Sequence, residues 1–165
     1  MTPMHVRRAV RTAGLSLAAL TTLAGCCGGY SVVRTSFLHR AELRADGPVE
    51  VPEGDTHVLH YSRLGEPPNT CSDGAKYIED LWVQLPSLKA GETYTLGQAG
   101  VGVAYRRERE GAGQAVQAKQ VTGTVHIEGL TPELVSATLA IRIVLPSGQA
   151  VVLDDEYAFH PDRPR

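Results

Sequence analysis

Aromatic residues, cysteines and long apolar runs are all scarce in this chain of 165 residues. Aromatics make up 5%, three cysteines are present, and the apolar stretch near the amino terminus (residues 13–23) has 11 residues. A membrane-spanning helix needs about 20 apolar residues, so this stretch is too short to remain as a span. No basic run is present either, which argues against nucleic acid as a partner, because phosphate binding needs clustered cations. The apolar content of 42% is enough for a packed core and excludes wholesale disorder.

Catalytic signatures are also missing from the sequence. It contains no Gly-x-Ser-x-Gly elbow, no phosphate-binding loop and no His-Glu-x-x-His pattern. The glycine-rich residues 97–102 lie between predicted strands, where glycine permits a turn or bulge more often than it binds a phosphate. The sequence therefore predicts no catalytic residue, no cofactor and no metal site, and it leaves open whether the protein is an enzyme.

The first 25 residues have the layout of a secretory signal peptide. Arg7, Arg8 and Arg11 precede the short apolar stretch, and no acidic residue occurs before position 26. Removal of residues 1–25 lowers the count of Lys and Arg from 16 to 13 against 18 Asp and Glu, a net charge near −5. The Arg7-Arg8 pair leaves a twin-arginine export route open.

The tetrapeptide Leu23-Ala24-Gly25-Cys26 resembles the lipobox of bacterial lipoproteins. The resemblance implies cleavage before Cys26, acylation of Cys26 and anchoring in a lipid bilayer, since two or more acyl chains hold a protein stably. It places the protein in the cell envelope, and in the outer membrane if the host has two membranes, because no Asp follows the cysteine. An ordinary signal peptide followed by a chance cysteine is the alternative.

The two remaining cysteines, Cys27 and Cys71, could form one disulfide in an oxidising compartment. The bridge would close a loop of about 45 residues, worth about 4 kcal/mol in the chain-entropy model. The sequence leaves open whether an extended tether would carry Cys27 too far from its partner.

The rest of the chain predicts a single all-β domain. Turn-forming residues recur about every ten positions, and apolar residues alternate with polar ones in residues 119–130 and 135–143. We expect an antiparallel β-sandwich of seven to nine strands over residues 46–165, or a small β-barrel. Residues 26–45 hold the anchor and tether and could include a first strand. A helical turn is expected only within residues 73–81.

Few side chains are candidates for a ligand site. His57, His60, Asp73 and Trp82 are the four that could contribute to one, although His57 and His60 fall on opposite faces of a strand. The other histidines of the mature chain, His39, His126 and His160, are expected at the surface or in loops. The acidic residues 154–156 suggest a charged turn. The charged residues 106–110 suggest a solvated hairpin tip, and partner docking there stays open.

Two functions are consistent with these features. The first is an envelope lipoprotein that serves as a non-enzymatic binding or assembly module for another envelope protein or a cell-wall component. The second is a small-ligand carrier or hydrolase whose site is built from loops around His57, His60, Asp73 and Trp82. Convergence of those four side chains in one pocket would favour the second function.

Overall fold

The computed structural model describes residues 31–45, 47–65 and 76–162. Strands make up 69% of this part of the chain, and it contains no helix long and apolar enough to cross a membrane. The strands are β1 (Ser31–His39), β2 (Ala41–Arg44), β3 (Gly47–Glu50), β4 (His57–Gly65), β5 (Tyr77–Leu85), β6 (Thr93–Thr95), β7 (Gly102–Arg109), β8 (Ala115–Gln117), β9 (Gln120–Thr131), β10 (Leu134–Val144) and β11 (Ala150–Pro161).

Nine of these strands form one large sheet in the order β6-β9-β10-β11-β1-β4-β5-β7-β8. The sheet curls into a half-barrel, so the all-β prediction is confirmed, and the fold is consistent with a sandwich or barrel-like architecture. One pairing was not expected: β1 and β11 run parallel, joined only at Ser36–His160 and Phe37–Pro161. All other neighbours in the sheet are antiparallel.

The core lies inside the curl, on the inner face of the sheet. Alternate residues of each strand point inward, as the period of two predicts. From one half of the sheet the core receives Phe37, Leu59, Leu81 and Val83, and from the other Val125, Ile127, Leu139, Ile141, Ile143 and Phe159. Burying each of these side chains contributes about 1.5–3 kcal/mol, so contact between the two halves is what holds the curl closed.

Gly123 permits the close approach of β9 to β10. Its φ is +135°, and a Cβ at this position would lie 2.0 Å from the carbonyl oxygen of Ala140. No L side chain fits there without a shift of the neighbouring backbone, so the glycine is required by the pairing of the two strands.

A two-stranded sheet, β2 with β3, packs on the outer face of β4 and β5. It covers Val58, and both Val58 and Ala41 are fully buried. The Leu43 amide donates a hydrogen bond of 2.6 Å to Oε1 of Gln84 on β5. Residues 26–45 were expected to include a possible first strand, and β1 is that strand. The chain continues from β1 into the β2–β3 sheet, called here the cover.

Three local predictions are wrong. The helical turn expected within residues 73–81 is contradicted by β5, which is extended from Tyr77 onwards, while residues 73–75 lie outside the described part. The acidic residues 154–156 lie within β11 and not in a turn, because the β10–β11 turn closes earlier with a bond from the Gly148 amide to the Leu145 carbonyl. Most of the charged run 106–110 belongs to β7, and Arg107 is only 6% exposed.

Candidate functional site

Strands β4, β5 and β7 bring five polar or aromatic side chains together on the outer face of the sheet. Ser62, Asp80 and Arg106 lie directly opposite one another in the register of the three strands. One row along, His60 of β4 lies opposite Trp82 of β5. Residues two apart on a strand share a face, so the two rows form one group, called here the His60–Asp80 cluster.

Asp80 holds this cluster together. Its Oδ1 lies 3.0 Å from Nε2 of His60, and its Oδ2 accepts a hydrogen bond of 3.0 Å from Nη2 of Arg106. Burial alone would raise the pKa of Asp80, but hydrogen bonds from His60, Arg106 and Ser62 outweigh it and leave the pKa below its ordinary value. The ionised carboxylate accepts the Nε2 proton of His60. The Nδ1 atom of the imidazole is then left for a ligand.

Trp82 fixes the plane of the His60 ring. The two rings are stacked with their centroids 5.1 Å apart and an interplanar angle of 12°. The Arg106 guanidinium lies 5.6 Å from the centroid of the same indole, within the range of a cation–π contact. His60 therefore occupies one face of the Trp82 ring, and Trp82 lies on the outer face of the sheet, outside the main core.

An open groove of about 810 Å³ lies beside this cluster and is called here the outer groove. His60 and Ser62 line one side, Glu50 of β3 lines another, and residues of β1 and the end of β11 complete it. It forms where β1 and β11 diverge, since their pairing is limited to two residue pairs. Its volume is within the range of small-ligand sites.

The outer groove contains charges that are not neutralised. Arg34, Glu50 and Asp162 all line it, are exposed, and form no ion pair with any residue in the described part of the chain. His160 adds an exposed imidazole at the same site. Unpaired charges of both signs, next to the hydroxyl groups of neighbouring strands, match a polar ligand that carries both an anionic and a cationic group.

A second polar network lies on the inner face. Glu79 accepts hydrogen bonds from Nε of Arg63 at 2.6 Å and from the Tyr105 hydroxyl at 2.8 Å. Nε of Arg107 lies 3.5 Å from Oε1 of Glu79, the oxygen that accepts from Tyr105, and the Arg107 guanidinium stacks 4.3 Å from the Tyr77 ring. Arg107 also donates from Nη1 to Oε1 of Gln149 at 3.1 Å, although its buried Nε forms no hydrogen bond. The side chains of this network contact one another inside the curl, so we interpret it as structural.

His57 does not join His60. It faces inward at the far end of β4, and its Nδ1 lies 3.1 Å from Nδ1 of His39. Burial, followed by the charge of His39, lowers the pKa of His57. The surface histidine His126 instead contacts the Thr93 hydroxyl at 2.8 Å. No group of three or more metal-binding side chains occurs among the residues that the structure describes.

The other predicted site residues lie outside the described residues. Cys26, Cys27, Cys71 and Asp73 all belong to the segments 1–30 and 66–75. Acylation of Cys26 and the Cys27–Cys71 bridge therefore stay predictions. Of the four residues of the ligand-site hypothesis, only His60 and Trp82 are seen together.

Comparison with known proteins finds no match: no family model, no curated protein and no solved structure matches this chain.

Sequence reasoning missed the residues that organise the site. Asp80 and Ser62 carry no motif, and Arg34 is one arginine among many in the chain. The one available signal was the pairing of β4 with β5, since His60 and Trp82 are juxtaposed only when those strands are placed in register. Without the register, a histidine and a tryptophan 22 positions apart look unrelated.

Proposed function

We propose that this chain is a lipid-anchored protein of the bacterial cell envelope and acts as a non-enzymatic binding module, with the outer groove as its binding site. The observation that carries the proposal is the set of unpaired charges in the groove beside the rigid His60–Asp80 cluster. The anchor is acylated Cys26, in the outer membrane if the host has two. The envelope location rests on the lipobox and the binding role on the groove.

Cell-wall fragments are the ligand class that fits the groove best. They combine amino sugars with short peptides, so they carry hydroxyl, carboxylate and ammonium groups together. Arg34 would pair with a ligand carboxylate, while Glu50 and Asp162 would pair with an ammonium group. His60 would contribute Nδ1 as a further hydrogen-bonding atom from a ring whose orientation Trp82 fixes.

Titration of the mature protein with soluble cell-wall peptides, followed by calorimetry, tests the binding site. We expect Arg34→Ala to weaken binding about tenfold or more, as expected for a lost charge-assisted hydrogen bond of about 1.5–3 kcal/mol. Arg142→Ala is the matched control, because Arg142 is also an exposed arginine, lies on β10 and does not line the groove. Equal affinity of both variants and the unaltered protein would reject the groove as the site.

Cell fractionation tests the anchor. Replacing Cys26 with Ser should abolish incorporation of labelled fatty acid and move the exported protein from the membrane to the soluble fraction. Membrane association that survives this substitution would contradict the anchoring part of the proposal without bearing on the groove.

A hydrolase is the second candidate, and one observation favours it. Ser36 of β1 lies directly opposite His60 in the register, and His60 is bonded to Asp80, so a serine, a histidine and an aspartate follow one another on one face. A nucleophile needs a base within hydrogen-bond reach. Turnover of an ester substrate that is lost in Ser36→Ala but kept in Ser147→Ala, a change at an exposed serine of the β10–β11 turn, would establish this candidate in place of the binding module.

A further inference from the structure

The end of the sheet at which β1 begins exposes apolar side chains. Ser31, Gly65 and Tyr77 lie in one row there, paired across β1, β4 and β5. In the next row, on the outer face, Leu64 and Ile78 lie directly opposite each other and are 40% and 37% exposed. Together these adjacent aliphatic side chains form an apolar surface, and its contact with water is energetically unfavourable.

Other exposed apolar residues lie toward the same end. Val33 and Val116 are 44% and 43% exposed and lie at the two ends of the following row, on the inner face. Val152 is 63% exposed and lies near the beginning of β11, which extends past the row of Ser31 because His160 is opposite Ser36. Among the described residues only two large exposed hydrophobics lie elsewhere, Val49 in the cover and Leu130 at the opposite end. Most of the large exposed hydrophobic residues in the described part of the chain therefore lie toward one end of the half-barrel.

The length of chain before β1 places this end next to the proposed anchor. Cys26 is five positions before Ser31, and five residues span at most about 17 Å when fully extended. If Cys26 is acylated, the row of Ser31 cannot lie farther than that from the lipid headgroups. The opposite end of β1 lies eight residues further along the strand, about 26 Å away.

We propose that the patch formed by Val32, Leu64 and Ile78, called the apolar patch, rests on the lipid bilayer and fixes the orientation of the domain on the membrane. The inference rests on the proposed anchoring at Cys26. Lys76 lies immediately before β5, while Glu108 of β7 flanks the patch and Glu110, just after β7, lies beside Lys76, so no cluster of cations among the described residues borders the patch on this side. The contact depends on apolar burial and needs no anionic lipid.

This orientation has a consequence for the outer groove. Val32 lies two residues before Arg34 on β1, and Leu64 lies four residues after His60 on β4. At about 3.3 Å per residue, these groove residues lie roughly 7–13 Å along the strands from the apolar patch, so they can be no farther than about 13 Å from the membrane surface. A ligand of the groove would accordingly be met close to the bilayer, where only short or membrane-attached cell-wall segments reach.

Tryptophan fluorescence of the full acylated protein in phosphatidylcholine vesicles tests the proposal. Trp82 is the one tryptophan of the chain, so Trp82→Phe supplies a silent background. In that background Ile78→Trp places a probe in the apolar patch, and Leu130→Trp places an equally exposed one at the opposite end. We expect blue-shifted emission and quenching by brominated lipid for Ile78→Trp, and neither effect for Leu130→Trp.

Equal quenching of the two probes, or none at Ile78, would overturn the orientation. Leu64→Trp, on the neighbouring strand, repeats the measurement if Ile78→Trp does not fold. The two proposals fail separately: soluble protein without fatty acid would reject the anchor, whereas anchored protein with an unquenched patch would reject only this inference.

Discussion

Replacing the buried Glu79 with Gln should destabilise the protein more than any other isosteric change at a charged position. Glu79 is 3% exposed and is bonded to Arg63 and Tyr105, with Arg107 close by. The glutamine keeps the size and one acceptor oxygen of the side chain but removes its charge. Two arginine side chains, 16% and 7% exposed, would then lack their counter-ion inside the curl.

The expected loss follows from that geometry. Removing one partner of a buried ion pair costs about 3–5 kcal/mol, because the remaining charge stays desolvated. That is a large share of the roughly 5–15 kcal/mol that stabilises a typical domain. At about 4 °C per kcal/mol for a domain between 100 and 150 residues, the melting temperature should fall by roughly 12–20 °C.

Urea unfolding followed by circular dichroism measures this difference. Glu133→Gln is the matched control, since Glu133 is exposed in the β9–β10 turn and forms no ion pair with a described residue. A second readout is available in the folded variant: burial and the Glu79 carboxylate both raise the pKa of Tyr105, so Glu79→Gln should lower it. If Glu79→Gln is as stable as Glu133→Gln, the network does not stabilise the fold as argued.

Three further outcomes are expected. Gly123→Ala should cost about 3 kcal/mol or more in an unfolding titration, because of its positive φ and the carbonyl that its Cβ would meet, while Gly129→Ala on the same strand should cost under about 1 kcal/mol. Burial lowers the pKa of His57, so stability is complete above the ordinary histidine pKa of about 6.5 and is lost as the pH falls below it. His57→Gln should flatten that decline in urea midpoints, and an unchanged slope would contradict the assignment. Titration of the denatured mature protein should find no free thiol if Cys27 and Cys71 are bridged, and two if they are not.

Sequence alternation was sufficient wherever a strand has one apolar and one polar face. In β10, every second residue from Val135 to Ile143 is buried and the residues between them are more exposed, as the pattern predicted. The same holds for Val125 and Ile127 of β9. Such strands can be predicted from the sequence because each inward position is aliphatic and the period of two is unbroken.

Alternation failed where charged residues are buried. At the beginning of β5, within the segment where a helical turn was expected, Glu79 and Asp80 interrupt the apolar pattern although both are buried. The parallel contact of β1 with β11 was also out of reach, since strands more than 100 residues apart leave no local signal of their pairing. The site was missed for both reasons: Asp80 carries no motif, and the outer groove exists only where β1 and β11 diverge.

The same buried acids specify the register of the sheet. Glu79 of β5 lies opposite Arg107 of β7 on the inner face, and Asp80 lies opposite Arg106 on the outer face. A slip of one residue would exchange the two faces of a strand. A slip of two would keep the faces but place Asp80 opposite Glu108 or a small apolar residue, leaving buried charges without partners. Glu79 and Asp80 interrupt the alternation that would have predicted β5, and the same two charges fix the register of β5 against β7. Because Asp80 also bonds to His60, this register positions His60 beside the groove.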